Sequence, residues 1–385
     1  MSHTAIILGA GIGGIATANE LRRRCSRDDR IIVVDRTATH VFAPSLLWVA
    51  VGTRRPDQIQ RPVRRLLHPG IEFVEGTVEH IDPSARAVTI NGKRLVGDAL
   101  VIALGAELMP ETIPRLSRIG HNFYTLVGAQ RLREDLDIFE GGDVVVLTVD
   151  PMYKCPAAPY EAALLIDDYL RKRGVRTQST ITIIAAEAAP MGVAGPAVSD
   201  AVKGMLADRR IAYTPNTRVV SVDPTARLLA FSDGTSASFD LLAFVPPHRA
   251  PEALADSGLG GDTGWIPVDR STLETKFASV YAIGDIATIP LSIGKPLPKA
   301  GVFADAQAHV VASNIAALWN QQSATATFDG HGACFLEVGR GRAALGSGNF
   351  YGEPRPVVAL KPPSFLLHFA KVIFERRWLK RPPFG

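Results

Sequence analysis

The chain has little cysteine: Cys25, Cys155 and Cys334 are the three among 385 residues. That number excludes a disulfide-stapled secreted scaffold, and in a reducing compartment a bridge between two of them is catalytic rather than structural. Uninterrupted apolar runs stop short of the roughly 20 residues that span a bilayer. The opening residues carry no basic segment and no cleavage site before an apolar run begins at Thr4, so no secretory signal is expected. Net charge is only +4 and no aromatic-basic repeat accompanies it, which argues against a nucleic-acid partner. No metal site is expected. The protein is expected on the cytoplasmic side, either free or attached to the membrane surface.

What is present suits a globular protein with ample core. Hydrophobic residues make up 46% of a chain too long for one core, so two or three subdomains are expected. Ala5 to Leu8 is a short apolar run of the kind that forms a buried parallel strand. Gly9-Ala10-Gly11-Ile12-Gly13-Gly14 follows, then a helix over Ile15 to Arg24 and a second strand, Ile31 to Val34, ending in Asp35. Gly9 permits the tight turn, Gly11 admits a pyrophosphate to the backbone, and Gly14 allows close helix-strand packing. Asp35 is placed to accept both hydroxyl protons of an unphosphorylated ribose.

A further shortage lies mid-chain. Gly141 to Val149 reads as the opening strand of a second nucleotide-binding unit, and Pro159 to Arg173 as its helix. Between them a glycine fingerprint belongs. The chain instead reads Asp150-Pro151-Met152-Tyr153-Lys154-Cys155-Pro156. Pro151, Pro156 and Pro159 have no amide to offer a phosphate, so NAD(P)H is not expected there. A thiol stands where a nicotinamide port belongs, which points to a sulfur-containing electron donor.

Thr275 to Asp285 (TKFASVYAIGD) resembles the distal flavin motif of FAD-dependent pyridine nucleotide-disulfide oxidoreductases, and Val101 to Ala106 resembles their intermediate motif. Tyr153 to Glu161 (YKCPAAPYE) resembles the first redox-cysteine segment of sulfide:quinone oxidoreductases and of flavocytochrome c sulfide dehydrogenase. Ala333 to Gly339 (ACFLEVG) is similar to the partner-cysteine segment, and Pro298-Lys299-Ala300-Gly301 to a turn near the flavin pyrimidine ring. Two departures stand out. Asn122-Phe123-Tyr124-Thr125 lacks the further cysteine that many sulfide:quinone oxidoreductases carry. Val41-Phe42-Ala43-Pro44 lacks the cysteine through which flavocytochrome c attaches its flavin, so FAD is expected to be noncovalent.

The resemblance implies an α/β fold of two Rossmann-like, glutathione reductase-type dinucleotide-binding domains, the second interrupting the first. Residues 1–110 and 266–330 would form the FAD domain and 111–265 the second, fingerprint-free domain. Residues 331–385 would form a C-terminal interface or membrane-contact segment. FAD would be held by Gly9, Gly11, Gly14, Asp35, Arg36, Pro44, Val78, Ala103, Gly105, Gly284, Asp285 and Lys299. Catalysis would use Cys155, Cys334, Glu161 and Lys299. Hydrosulfide would open a Cys155–Cys334 disulfide, and the released thiolate would add to the flavin, whose adduct collapses to reduced FAD. The resemblance favours Cys334 as the flavin-facing sulfur.

Other readings of these residues stand beside those. The cysteines are also readable as two buried, inert thiols. Lys154 is a candidate for lowering the pKa of Cys155. Glu161 is either an acid/base group at the sulfur site or a solvated carboxylate in a first helical turn. Lys299 is either a positive charge beside reduced flavin or a surface loop lysine. Cys25 reads as structural or incidental.

Phe365 to Leu379 is predicted to be helical, with Leu366, Phe369, Ala370, Ile373 and Phe374 on one side and His368, Lys371 and Glu375 opposite. With Arg376, Arg377, Lys380, Arg381 and Trp378 it suits an anchor on anionic lipid, where a membrane quinone is found. Packing on the protein's own body or on a partner subunit in a homo-oligomer is the alternative. Competing functions are a flavocytochrome c-type subunit serving a haem protein, a type II NADH dehydrogenase, and a redox-sensing flavoprotein without turnover.

Overall fold

Two five-stranded parallel sheets, alike in the order of four of their strands, organise the chain. The computed structural model describes residues 2–380. In the first sheet Val280–Ala282, Ala99–Ile102, Thr4–Leu8, Arg30–Asp35 and Ile71–Glu75 lie side by side. In the second the order is His121–Asn122, Leu241–Val245, Gly142–Thr148, Ser179–Ala185 and Ile211–Thr214. The central strands are buried on both faces, as their unbroken Val/Ile/Leu runs require. Val280–Ala282 completes the first sheet only after the chain has built the second.

The sequence located Thr4–Leu8, Arg30–Asp35 and Gly142–Thr148, and the helices after the first and third of them, to within a few residues. The first helix is Ile12–Arg24, beginning earlier than expected because the helix starts within the glycine loop itself. The helix of the second unit is Ala158–Arg173, opened by Pro159 in its first turn and stopped by Gly174 in the left-handed conformation.

A third layer brings the C-terminal residues back over the second unit. His331–Gly339, Arg342–Asn349 and Val357–Ser364 form an antiparallel sheet. Leu336 and Val338 of its first strand bury into the same core as Tyr160, Leu164 and Ile166 of helix Ala158–Arg173. That packing carries Cys334 across to Cys155. The tail helix Phe365–Leu379 follows, capped by the Ser364 hydroxyl, which accepts the Leu367 amide at 3.2 Å. Such a cap contributes about 1 kcal/mol.

The tail helix turns part of its apolar side outward. Lys371 and Glu375 are buried, while Leu366 is 80% and Phe369 58% exposed. The polar side packs on the body, because buried ion pairs await it there: Glu375 accepts from Ser45 Oγ at 2.6 Å and pairs with Arg54 at 2.8 Å. Trp378, read as an interfacial anchor, is buried instead; its indole N–H donates to His40 Nε2 at 3.1 Å and its ring stacks near Phe42. Arg376, Arg377 and Lys380 are exposed, and Arg381 lies outside the described residues.

Candidate functional site

The first site lies at the carboxyl ends of the first sheet. Gly9 has φ +101°, and a Cβ there would meet the Ala103 carbonyl at 2.4 Å. A Cβ on Gly14 would lie 1.8 Å from the Gly9 oxygen, so the helix seats against the strand through this missing side chain. Around Gly11 the space is open: a Cβ would meet nothing within 4 Å. Wedged glycines framing an open one, beside a helix N-terminus, fit the pyrophosphate of a dinucleotide. Asp35 Oδ2 accepts the Ala10 amide at 2.7 Å, fixing the loop.

The other expected flavin residues fall at varying distances from that loop. Ala103 and Gly105 follow the neighbouring strand, and Gly284 and Asp285 follow Val280–Ala282 on the same sheet. Gly284 donates its amide to Gln307 Oε1 at 2.7 Å, and a cleft lined by Gly284, Pro298, Lys299, Ala300 and Gln307 opens there. Arg36 is exposed at the strand exit, Pro44 lies in a short turn over Ala43–Ser45, and Val78 opens a strand of a separate antiparallel sheet.

Lys299 is a buried residue, not a surface loop lysine. Its ammonium donates to the Asp285 carbonyl at 2.5 Å and sits 3.5 Å above the Trp265 ring centre. Burial pulls its pKa down to about 8, against the opposing pull of Asp285. Its carbonyl accepts the Cys155 amide at 2.7 Å, tying the flavin-side turn to the cysteine loop.

Cys155 and Cys334, remote in sequence, are free thiols packed against the same core and close enough to act on each other's charge, and Cys334 Sγ donates to the Phe335 carbonyl at 3.7 Å. The neighbouring Cys334 thiol, with burial, holds the Cys155 thiol well above its ordinary pKa. The Cys155 thiol in turn lowers the pKa of Cys334 against burial, and the Lys371 ammonium lowers it further. The expectation that Lys154 assists Cys155 needs correction. The cation acting on both sulfurs is Lys371, while the charge of Lys154 acts on His248.

Glu161 is not a solvated first-turn carboxylate. It is buried, accepts the Lys371 ammonium at 2.7 Å and the Glu337 amide at 3.1 Å, and lies close enough to both cysteines to affect their charge. Glu337, with pKa raised mainly by burial, faces His368 Nδ1 at 2.9 Å. A file of ionisable groups thus runs from the sulfurs through Glu161, Lys371, Glu337 and His368 to the tail helix.

Sequence reasoning missed the groups that hold the cysteine loop. Cys155 has φ +51°, a left-handed conformation that costs a non-glycine residue about 1 kcal/mol or more. Tyr124 Oη donates to the Lys154 and Cys155 carbonyls at 2.8 and 3.2 Å. Glu187 accepts Tyr153 and Tyr160 hydroxyls at 2.5 Å each and the Thr148 hydroxyl at 2.5 Å. His248 is half-buried with Nδ1 2.9 Å from the Pro246 carbonyl and Nε2 without a hydrogen-bond partner among the described residues. Burial, with Lys154 nearby, pulls its pKa down to about 3. No spacing motif marks these residues. The one available signal was the position of Glu187 just past the second strand of the second unit, where Asp35 stands in the first.

Residues 3–308 match the family model of the pyridine nucleotide-disulphide oxidoreductases. The chain is 25% identical over 366 residues to a mitochondrial sulfide:quinone oxidoreductase of Mus musculus, covering 91% of this chain and 79% of that one. It is 29% identical over 337 residues to a sulfide-quinone reductase of Aquifex aeolicus, covering 82% and 76%. The crystal structure of the Aquifex aeolicus sulfide:quinone oxidoreductase superposes with a TM-score of 0.88 at 26% identity, covering 99% of this chain and 92% of that one. With its open glycine cradle and its half-buried cysteine pair, the chain belongs to the FAD-binding pyridine nucleotide-disulphide oxidoreductases.

Proposed function

We propose that this protein oxidises sulfide through Cys155 and Cys334 and delivers the electrons through FAD to a membrane quinone. The observation carrying this reading is the approach of the two free thiols on one core, with the Cys155 loop tied to the flavin-side turn by the bond from the Cys155 amide to the Lys299 carbonyl. In the oxidised pair, hydrosulfide attacks one sulfur, the S–S bond breaks, and a persulfide and a thiolate result. Cys334, with its lowered pKa, suits the leaving thiolate. Held noncovalently at the loop of Gly9, Gly11 and Gly14, FAD would supply a two-electron acceptor between the sulfurs and quinone. Glu161 and Lys371 hold charge and protons beside the sulfurs.

The FAD domain comprises residues 1–110 and 266–330, the second domain 111–265, and the C-terminal segment 331–385. The tail helix rests on the cytoplasmic membrane surface with Phe365, Leu366 and Phe369 in the lipid. Their exposure supports this, as do Arg376, Arg377 and Lys380 at the far end of the same helix. Among the described residues no helix is long and apolar enough to cross a membrane. The reading is tested by sulfide-dependent reduction of a soluble quinone analogue. Turnover is expected in the purified flavoprotein and its loss in Cys334→Ser and Cys155→Ser; undiminished turnover in both variants contradicts it.

A further inference from the structure

We propose that Glu187 is a positioning residue for Cys155: the carboxylate that a second dinucleotide's ribose would occupy clamps both flanks of the cysteine loop instead. This rests on the redox role proposed for Cys155. Four strands of each sheet follow one order, so Gly142–Thr148 corresponds to Thr4–Leu8 and Ser179–Ala185 to Arg30–Asp35. Asp35 ends its strand facing the open cradle at Gly11, whereas Glu187 stands two residues beyond its own strand. In a dinucleotide site, an acid here accepts ribose hydroxyls. Glu187 accepts protein hydroxyls in their place: Tyr153 and Tyr160 on Oε1, Thr148 on Oε2.

The donors are placed to matter. Tyr153 lies two residues before Cys155 and Tyr160 five after it, so one carboxylate holds the entry and exit of the loop. Both rings are buried, and Thr148 fixes the carboxylate to the central strand while its oxygen accepts the Ala186 amide at 3.0 Å. Hydrogen bonds to an ionised acceptor are stronger than neutral ones. They maintain Cys155 in its left-handed conformation, together with Tyr124 on its carbonyl and Lys299 on its amide. The loop that lost its phosphate-binding glycines has thereby gained a rigid mount for a thiol.

Two variants test this. Glu187→Gln removes the charge, and Tyr153→Phe removes one donor while keeping the carboxylate, so the second still reports on the loop if the first fails to fold. The readout is iodoacetamide labelling of Cys155 against pH, located by peptide mass spectrometry, with Cys25 as internal reference. Expected is bound flavin as in the parent, Cys155 labelling shifted by about tenfold or more, and Cys25 labelling unchanged. Sulfide-limited turnover should fall by a similar factor with the KM for quinone unaltered. A lowered melting temperature with parental Cys155 labelling and parental turnover in the folded variants overturns the proposal. Labelling reads the loop whatever the donor is. A parent protein that sulfide fails to reduce sinks the functional reading instead.

Discussion

The Lys371 ammonium lies 2.7 Å from the Glu161 carboxylate, and both side chains are under a tenth exposed. Lys371 also sits 4.8 Å over the Trp48 ring, and from the tail helix it supplies a positive charge that acts on both cysteines. Removing one partner of such a pair strands the other's charge and costs about 3–5 kcal/mol. Lys371→Met is expected to lose stability of that order in urea denaturation. Glu161→Gln/Lys371→Met should recover much of it, because no unpaired charge is left. The single variant should also raise the Cys334 pKa, seen as slower labelling at neutral pH.

His248 sets a pH dependence of stability. Its pKa is 6.5 in an unfolded chain and about 3 in the folded protein, chiefly through burial. Between those values the unfolded state binds the extra proton. Its contribution is therefore complete above pH 6.5 and is lost as pH falls toward 3. His248→Phe should flatten the decline of melting temperature over that interval relative to the parent. An unchanged slope contradicts the assignment.

Two glycines of the first loop should respond in opposite ways to alanine. Gly14→Ala places a Cβ 1.8 Å from the Gly9 oxygen and should yield misfolded protein. Gly11→Ala meets open space and should leave apoprotein stability within about 0.5 kcal/mol. The added methyl points into the cradle, however, so FAD should be lost on dilution. Equilibrium denaturation and the flavin-to-protein absorbance ratio separate the two effects.

The exposed face of the tail helix should govern lipid binding without affecting the fold. Leu366→Ser and Phe369→Ser remove side chains 80% and 58% exposed, so melting temperature should hold. Each would withdraw about 1.5–3 kcal/mol of burial in lipid, or about a tenfold or greater fall in partition. Flotation with anionic vesicles measures this; unchanged flotation of the double variant contradicts membrane docking through this face.

Much of the fold was legible because parallel strands buried on both faces advertise themselves as apolar runs, as at Ala5 to Leu8 and Ile31 to Val34. The glycine loop and Asp35 were legible because phosphate binding demands glycine at fixed spacing. The orientation of the tail helix was not. Its periodicity divides polar from apolar residues, but which side faces the body depended on Arg54, Ser45 and Glu161, distant residues that pair with Glu375 and Lys371. Trp378 misled for the same reason, since a partner for its N–H waited at His40. Tyr124 acts through hydrogen bonds set by tertiary packing, of which local sequence carries no trace, and for Glu187 only its place just past a strand hinted at a role.

The most direct test of the central claim is an anaerobic titration of the purified yellow protein, adding first NADH and then sulfide while flavin absorbance is followed. Sulfide entering at Cys155 and Cys334 predicts no bleaching by NADH, full bleaching by sulfide, and recovery of the yellow colour on adding a quinone analogue. Bleaching by NADH alone, or a flavin that sulfide leaves oxidised, would contradict it.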